Sequence, residues 1–256
     1  FSRFDLDVTI LNDEPNGVNI NTNCGSTHLG MLQKGVVEGH YDLGIAFDGD
    51  ADRCLLVDEQ GGIIDGDKVL AVCGSDMKRR GKLSGGTIVA TVMSNLGLHE
   101  FCRENGIGLV CTSVGDRNVL ERMLQKGYNI GGEQSGHVIF LDYATTGDGE
   151  LSGVQLLKTV VKSGKKLSQL AKIMTVYPQV LINVQVTPEG KQKYNNDEYI
   201  ISAVQQAEMD LMGDGRVLVR VSGTEPLVRV MLEGKDLEKI TRLGNRIADV
   251  VRERLS

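Results

Sequence analysis

Between residues 47 and 53 the chain reads Phe-Asp-Gly-Asp-Ala-Asp-Arg. Three carboxylates, Asp48, Asp50 and Asp52, alternate with the small residues Gly49 and Ala51, and Arg53 follows at once. The run before them, Leu43-Gly44-Ile45-Ala46-Phe47, is small and apolar, the pattern of a buried strand. In an extended segment alternate side chains share a face. The spacing therefore sets three like charges side by side, which is unfavourable unless a cation sits among them. A hard divalent ion, Mg²⁺ or Ca²⁺, suits that all-oxygen donor set, and Arg53 beside it suits a phosphate oxygen. The plainer alternative is a solvated acidic turn, since Asp and Gly are ordinary turn residues. A calcium EF-hand is excluded. Glu59 falls where that loop needs its last ligand, but Arg53 stands where a glycine is required, and the preceding segment reads as a strand rather than a helix.

Around this stretch, strands alternate with helices. A short strand is expected over Val8-Thr9-Ile10-Leu11, a helix from Leu29 to His40 and a strand from Asp42 to Phe47, a layout that implies a parallel α/β sheet with ligands at strand C-termini. Cys54–Asp58 continues as a strand, and a helix follows over Lys68–Arg80. Strands over Thr87–Val92 and Leu109–Thr112 alternate with helices over Leu96–Asn105, capped by Ser94-Asn95, and Val114–Lys126. Further helices are expected over Glu150–Lys162 and Leu167–Met174. After a linker at Tyr177-Pro178-Gln179 come strands over Val180–Val186 and Arg216–Arg220, with helices over Asp197–Met209 and Asp236–Leu255.

Two more loops carry chemistry. Gly131-Gly132-Glu133-Gln134-Ser135-Gly136-His137 lets the backbone come close to a ligand and offers a carboxylate, an amide, a hydroxyl and an imidazole, groups that suit sugar hydroxyls. A polar hairpin with Glu133 as a surface charge explains the same residues. Arg220-Val221-Ser222-Gly223-Thr224-Glu225-Pro226-Leu227-Val228-Arg229 places two hydroxyls around a glycine between two arginines, a pattern for cradling phosphate oxygens.

Composition removes several classes. The net charge of −6 argues against nucleic acid as a partner. No apolar run approaches the ~18 residues a membrane helix needs. Five cysteines without a close pair fit neither a disulfide framework nor a zinc site, and read as reduced thiols of a cytoplasmic protein. The start, Phe1-Ser2-Arg3-Phe4-Asp5, is neither a signal peptide nor an initiator methionine, and the expectation is a chain that begins within a longer protein.

Together the motifs Asp-Gly-Asp-Ala-Asp-Arg, Gly-Gly-Glu-Gln-Ser-Gly-His and Ser-Gly-Thr-Glu-Pro, in that order, resemble the α-D-phosphohexomutase superfamily. With Gln134 and Val114-Gly115-Asp116-Arg117, the likeness is to its bacterial branch acting on hexosamine phosphates. The resemblance implies two consecutive α/β domains with mixed sheets, residues 1–62 and 63–176, followed by a smaller α+β C-terminal domain, 180–256. It implies Mg²⁺ on Asp48, Asp50 and Asp52, and sugar contacts from Glu133, Ser135 and His137. A non-reacting phosphate would lie on Arg220, Ser222, Gly223, Thr224 and Arg229, and Arg53 would orient the transferring phosphoryl group. It also implies a hexosamine phosphate substrate, a full-length protein that pairs as a homodimer, and a C-terminal domain that rotates onto its ligand. Two departures stand out. The family's catalytic phosphoserine sits in a Ser-His-Asn-Pro-like loop, and no Ser-His sequence occurs here; Ser26-Thr27-His28 is the nearest. Val221 also replaces the proline usual before Ser-Gly-Thr, which leaves the loop backbone less restricted.

Overall fold

The computed structural model describes residue 1, residues 4–223 and residues 225–256. The chain divides into two compact units, residues 1–94 with 101–174, and residues 95–100 with 175–256.

The first unit opens with an irregular segment and helix α1 (Gly30–Glu38), then β1 (Leu43–Phe47), β2 (Cys54–Asp58) and the short β3 (Ile63–Ile64). These strands form a three-stranded sheet in the order β1-β2-β3 with antiparallel neighbours, Leu43 facing Asp58 and Phe47 facing Cys54. The parallel layout expected here is therefore corrected. The acidic stretch joins β1 directly to β2, and so short a connection closes only an antiparallel pair, because parallel strands need a crossover of about a dozen residues or more. The strand expected over Val8–Leu11 does not form either. Val8, Ile10 and Leu11 are exposed and have no ladder partner among the described residues, and a lone strand leaves its backbone groups unpaired.

Helix α2 (Gly66–Arg79) begins at Asp65, whose carboxylate accepts the Lys68 N–H. There follow β4 (Thr87–Thr91), α3 (Leu96–Glu104), β5 (Gly108–Thr112), α4 (Asp116–Lys126), β6 (Ile130–Gly132) and β7 (Val138–Phe140). Their sheet runs β5-β4-β6-β7 and is mixed, with β4 parallel to β5 and β6, and β7 antiparallel to β6. Every residue of β4 is buried, as its apolar sequence requires of a central strand. Helix α5 (Gly149–Ser163) is capped by Asp148, and α6 (Leu167–Ala171) closes the unit. The helix expected to reach Met174 stops earlier, ahead of β-branched Thr175 and Val176 and the pre-proline Tyr177, all poor helix formers.

The second unit holds β8 (Gln179–Gln185), α7 (Pro188–Lys193), α8 (Glu198–Leu211), β9 (Gly215–Val221), β10 (Leu227–Gly234) and α9 (Leu237–Leu255). Its sheet, β8-β10-β9, is antiparallel throughout. Ile240, Leu243, Ile247, Val251 and Leu255 recur at helical spacing along α9 and are buried in one core with Val184, Ile200, Val230 and Leu232. Helix α7 has a signature at its start, Thr187-Pro188: the Thr187 hydroxyl accepts the Gly190 N–H at 3.0 Å, and Pro188 needs no helical N–H partner. Within this unit Glu233 is fully buried. Burial raises its carboxyl above the ordinary range, while Arg216 (2.6 Å), Asn95 (3.1 Å) and the Leu96 N–H (3.1 Å) pull the other way. Among the described residues no helix is long and apolar enough to cross a membrane.

Asp197 caps α8 through the N–H groups of Tyr199 and Ile200 and accepts Arg254 Nε from α9 at 3.0 Å. Burial works to raise its carboxyl, but these hydrogen bonds outweigh burial and hold it below the ordinary aspartate value. A depressed folded-state value means stabilisation that is present above the unfolded pKa and is lost as pH falls through the folded one. Asp197→Ala should destabilise the second unit by about 1–2 kcal/mol at pH 7. In urea unfolding monitored by circular dichroism, the gap to the parent chain should narrow as pH drops below about 4.

Candidate functional site

The acidic stretch is a turn rather than an extended strand. The Ala51 N–H donates to the Asp48 carbonyl at 3.1 Å, and Ala51 is left-handed at φ 57°. The turn folds Asp52 back beside Asp48, while Asp50 stands exposed. The Arg53 N–H donates to Asp48 Oδ1 at 3.2 Å, and its guanidinium lies 3.8 Å from Asp48 Oδ2. Burial raises the Asp52 carboxyl, and the Asp48 carboxylate beside it pushes the same way; His137 and Arg53 only partly offset them. A cation relieves both penalties, and two adjacent carboxylates are hard oxygen donors of the kind Mg²⁺ or Ca²⁺ takes. Among the described residues no three His, Cys, Asp or Glu side chains are yet grouped at a spacing that would hold a metal. Asp50 would have to turn inward to complete the set.

The glycine-rich loop closes the β6–β7 hairpin, and the Glu133 N–H donates to the His137 carbonyl at 2.9 Å. This loop meets the acidic turn inside the first unit. The Cys54 N–H donates to the Gly136 carbonyl at 3.0 Å, and His137 Nε2 lies 3.6 Å from Asp52 Oδ2. The His137 ring is buried, and its Nδ1 has no partner among the described residues. Two of the three motifs, far apart in sequence, thus share one surface. Ser135 stands exposed at the hairpin tip.

Two neighbours hold this loop in shape. The Gly115 N–H donates to Glu133 Oε1 at 3.0 Å from a backbone at φ 123°, ψ 131°, a region open only to glycine. Gln134 is held at both ends: its carbonyl accepts the Gly66 N–H at 3.0 Å, and its amide donates to Asp65 Oδ2 at 3.2 Å. A Cβ on Gly66 would run into the Glu133 carbonyl, so the approach of α2 to the loop depends on its absence. Neither role can be read from composition or periodicity. The one sequence hint is that Asp65 precedes a helical run as a cap does.

In the second unit, β9 and β10 place Arg220 directly opposite Arg229. Burial, and then the Arg229 guanidinium, work against the charge on Arg220, so the pair is primed for an anion. Arg229 also reaches Glu225 at 2.9 Å, yet its Nε has no partner among the described residues. Ser222 is buried, its N–H donates to the Leu227 carbonyl at 2.8 Å, and its hydroxyl accepts the Glu225 N–H at 3.3 Å. Gly223 lies in the same loop with open space around its Cα. Thr224, expected beside them, lies outside the described residues. The thiols of Cys54, Cys73 and Cys102 are pushed up to about 12 by burial, so none supplies a thiolate nucleophile near neutral pH.

Two family models match the chain, "phosphoglucomutase/phosphomannomutase, alpha/beta/alpha domain III" over residues 65–177 and the corresponding C-terminal domain over 181–250. The chain belongs to the phosphoglucomutase/phosphomannomutase family. It is 55% identical over 255 residues to the phosphoglucosamine mutase of Acetivibrio thermocellus, and 53% identical over 255 residues to that of Brevibacillus brevis. It spans 57% and 56% of the length of these curated relatives. The family's fold is also seen in the crystal structure of Aspergillus fumigatus N-acetylphosphoglucosamine mutase in complex with GlcNAc-6P and magnesium. That structure superposes with a TM-score of 0.75 at 19% identity, over 94% of this chain and 55% of the other. A Burkholderia thailandensis family protein superposes with a TM-score of 0.72 at 22% identity, over 90% of this chain and 51% of the other.

Asp65→Ser keeps a capping oxygen for α2 but is too short to reach Gln134. Amide hydrogen exchange across residues 133–137 should then quicken by about tenfold or more while α2 stays protected. Unchanged exchange at the loop would show that the Asp65–Gln134 bond does not order it.

Proposed function

We propose that this chain is the metal-, sugar- and phosphate-holding portion of a phosphoglucosamine mutase, interconverting glucosamine 6-phosphate and glucosamine 1-phosphate through a 1,6-bisphosphate. The observation that carries the reading is the junction of Asp52 with His137 at 3.6 Å, which joins an acidic turn to a loop rich in sugar-type hydrogen-bonding groups. The bacterial relatives above, named for that activity, support the choice of substrate.

In this reading Asp48, Asp50 and Asp52 hold Mg²⁺, a cation also named for the Aspergillus complex. When bound, it neutralises charge on the transferring phosphoryl oxygens. Arg53, half-exposed beside Asp48, orients the same phosphoryl group. Glu133, Ser135 and His137 hydrogen-bond the sugar. Arg220, Ser222, Gly223, Thr224 and Arg229 hold the phosphate that is not reacting. Phosphoryl transfer asks mainly for positioning and charge, and these residues supply both. The phosphoryl carrier is a serine outside these 256 residues, since the chain has no Ser-His-Asn sequence. The reading keeps the three-part division, 1–62, 63–176 and 180–256, and places the protein in the cytoplasm as a homodimer without nucleic-acid or membrane partners.

A polypeptide extended to include a Ser-His-Asn loop should convert glucosamine 6-phosphate in a coupled assay with Mg²⁺, while the 256-residue chain alone should not turn over. Full-rate turnover by the short chain sinks the assignment of roles. Independently, Asp52→Asn should weaken Mg²⁺ binding in calorimetry by about tenfold or more, because it removes a charged oxygen ligand. Unaltered Mg²⁺ affinity would remove the acidic turn from the site.

A further inference from the structure

The phosphate loop has an unusual amount of backbone freedom. Gly223 has no side chain, and Val221 leaves φ unfixed at the point where the chain leaves β9. The loop is nevertheless gathered onto one side chain from outside it. Lys191, on α7, directs its ammonium to the Glu225 carbonyl at 3.1 Å and to the Gly223 carbonyl at 3.5 Å. One lysine thus bonds two carbonyls of the same loop.

We propose that Lys191 is a positioning residue for phosphate binding, tying down the Gly223 and Glu225 carbonyls and adding a third positive charge to Arg220 and Arg229. This rests on the reading of that loop given above. An ammonium carries three donors, and two are engaged by carbonyls, so one donor and the full charge remain for a phosphate oxygen. The only carboxylate on the loop, Glu225, is already engaged by Arg229 at 2.9 Å and does not neutralise the lysine. The short helix α7 brings Lys191 into place. Thr187 caps it, and the Thr187 N–H is anchored on the Leu255 carbonyl at 2.9 Å.

A proline at position 221 offers an independent handle on the same freedom. The Ser222 N–H donates to the Leu227 carbonyl. In an antiparallel ladder, bonded and non-bonded pairs alternate, so the N–H of Val221 on the outer strand β9 faces away from β10. Val221→Pro therefore removes no ladder bond while fixing φ.

The test is calorimetric binding of inorganic phosphate and of glucosamine 6-phosphate to the 256-residue chain. Lys191→Met should weaken both by ~10-fold, the size of a lost charge-assisted hydrogen bond. Lys191→Arg should stay within ~2-fold of the parent chain. Adding Val221→Pro to Lys191→Met should recover ~2–5-fold by restricting the loop. Lys191 is only half-buried and its two bonds run to surface-loop carbonyls, so thermal unfolding should shift little with any of its substitutions. Lys191→Met binding like the parent chain, Lys191→Arg losing as much as Lys191→Met, or no recovery on adding proline, each overturns the proposal. Arg220→Ala separates the two levels of inference. If it leaves phosphate binding intact, the assignment of the phosphate loop itself fails, and this proposal with it. If it abolishes binding while Lys191→Met does not, only the role of Lys191 fails.

Discussion

The backbone hydrogen bond from Cys54 to the Gly136 carbonyl, 3.0 Å long, holds the first unit's chemistry together. Cys54 opens the strand that follows the acidic turn, and Gly136 sits in the middle of the glycine-rich loop. The two peptide groups of this bond meet only because position 136 has no Cβ, which would lie 2.5 Å from the Cys54 carbonyl oxygen. The bond fixes two loops from separate sheets in register before any ligand arrives. A second bond, from the Gly149 N–H to the Ala51 carbonyl at 2.9 Å, pins the same turn to the start of α5. The approach of Asp52 to His137 follows from this frame, because both side chains leave segments whose backbones are already clamped.

What the clamps hold is electrostatically unfavourable. Asp52 is desolvated beside Asp48, and Arg220 is desolvated opposite Arg229. The first cluster concentrates negative charge and the second positive charge. At Asp52 the neighbouring Arg53 and His137 only partly offset the penalty, and Glu225 pairs with Arg229. Surfaces shaped by packing alone place like charges apart. Each cluster gains stability when a ligand of opposite sign binds it.

Much of this was legible in the sequence. The apolar run 43–47, the capping aspartates and the helical stripe on α9 follow from periodicities that hold wherever burial is one-sided. The short connection 48–53 made the antiparallel pairing of β1 and β2 legible too, but the expected parallel layout rested on a Val8–Leu11 strand that does not form. Val8–Leu11 carries a strand's residues, but residue pattern alone does not supply a neighbour to pair with. The acidic spacing implied an extended face, whereas a turn brings Asp48 and Asp52 together and leaves Asp50 exposed. Asp65 and Lys191 were illegible because their roles lie in contacts with backbone and amide groups distant in sequence, which leave no local pattern.

Gly115 shows one way in which such a site is fragile. Its contribution is an N–H aimed at Glu133 from a backbone conformation that any Cβ disfavours. Alanine, serine, valine, cysteine, aspartate and arginine all lie one base change from a glycine codon, and each brings a Cβ. Low tolerance to inherited error therefore falls on a residue that contributes no side chain at all.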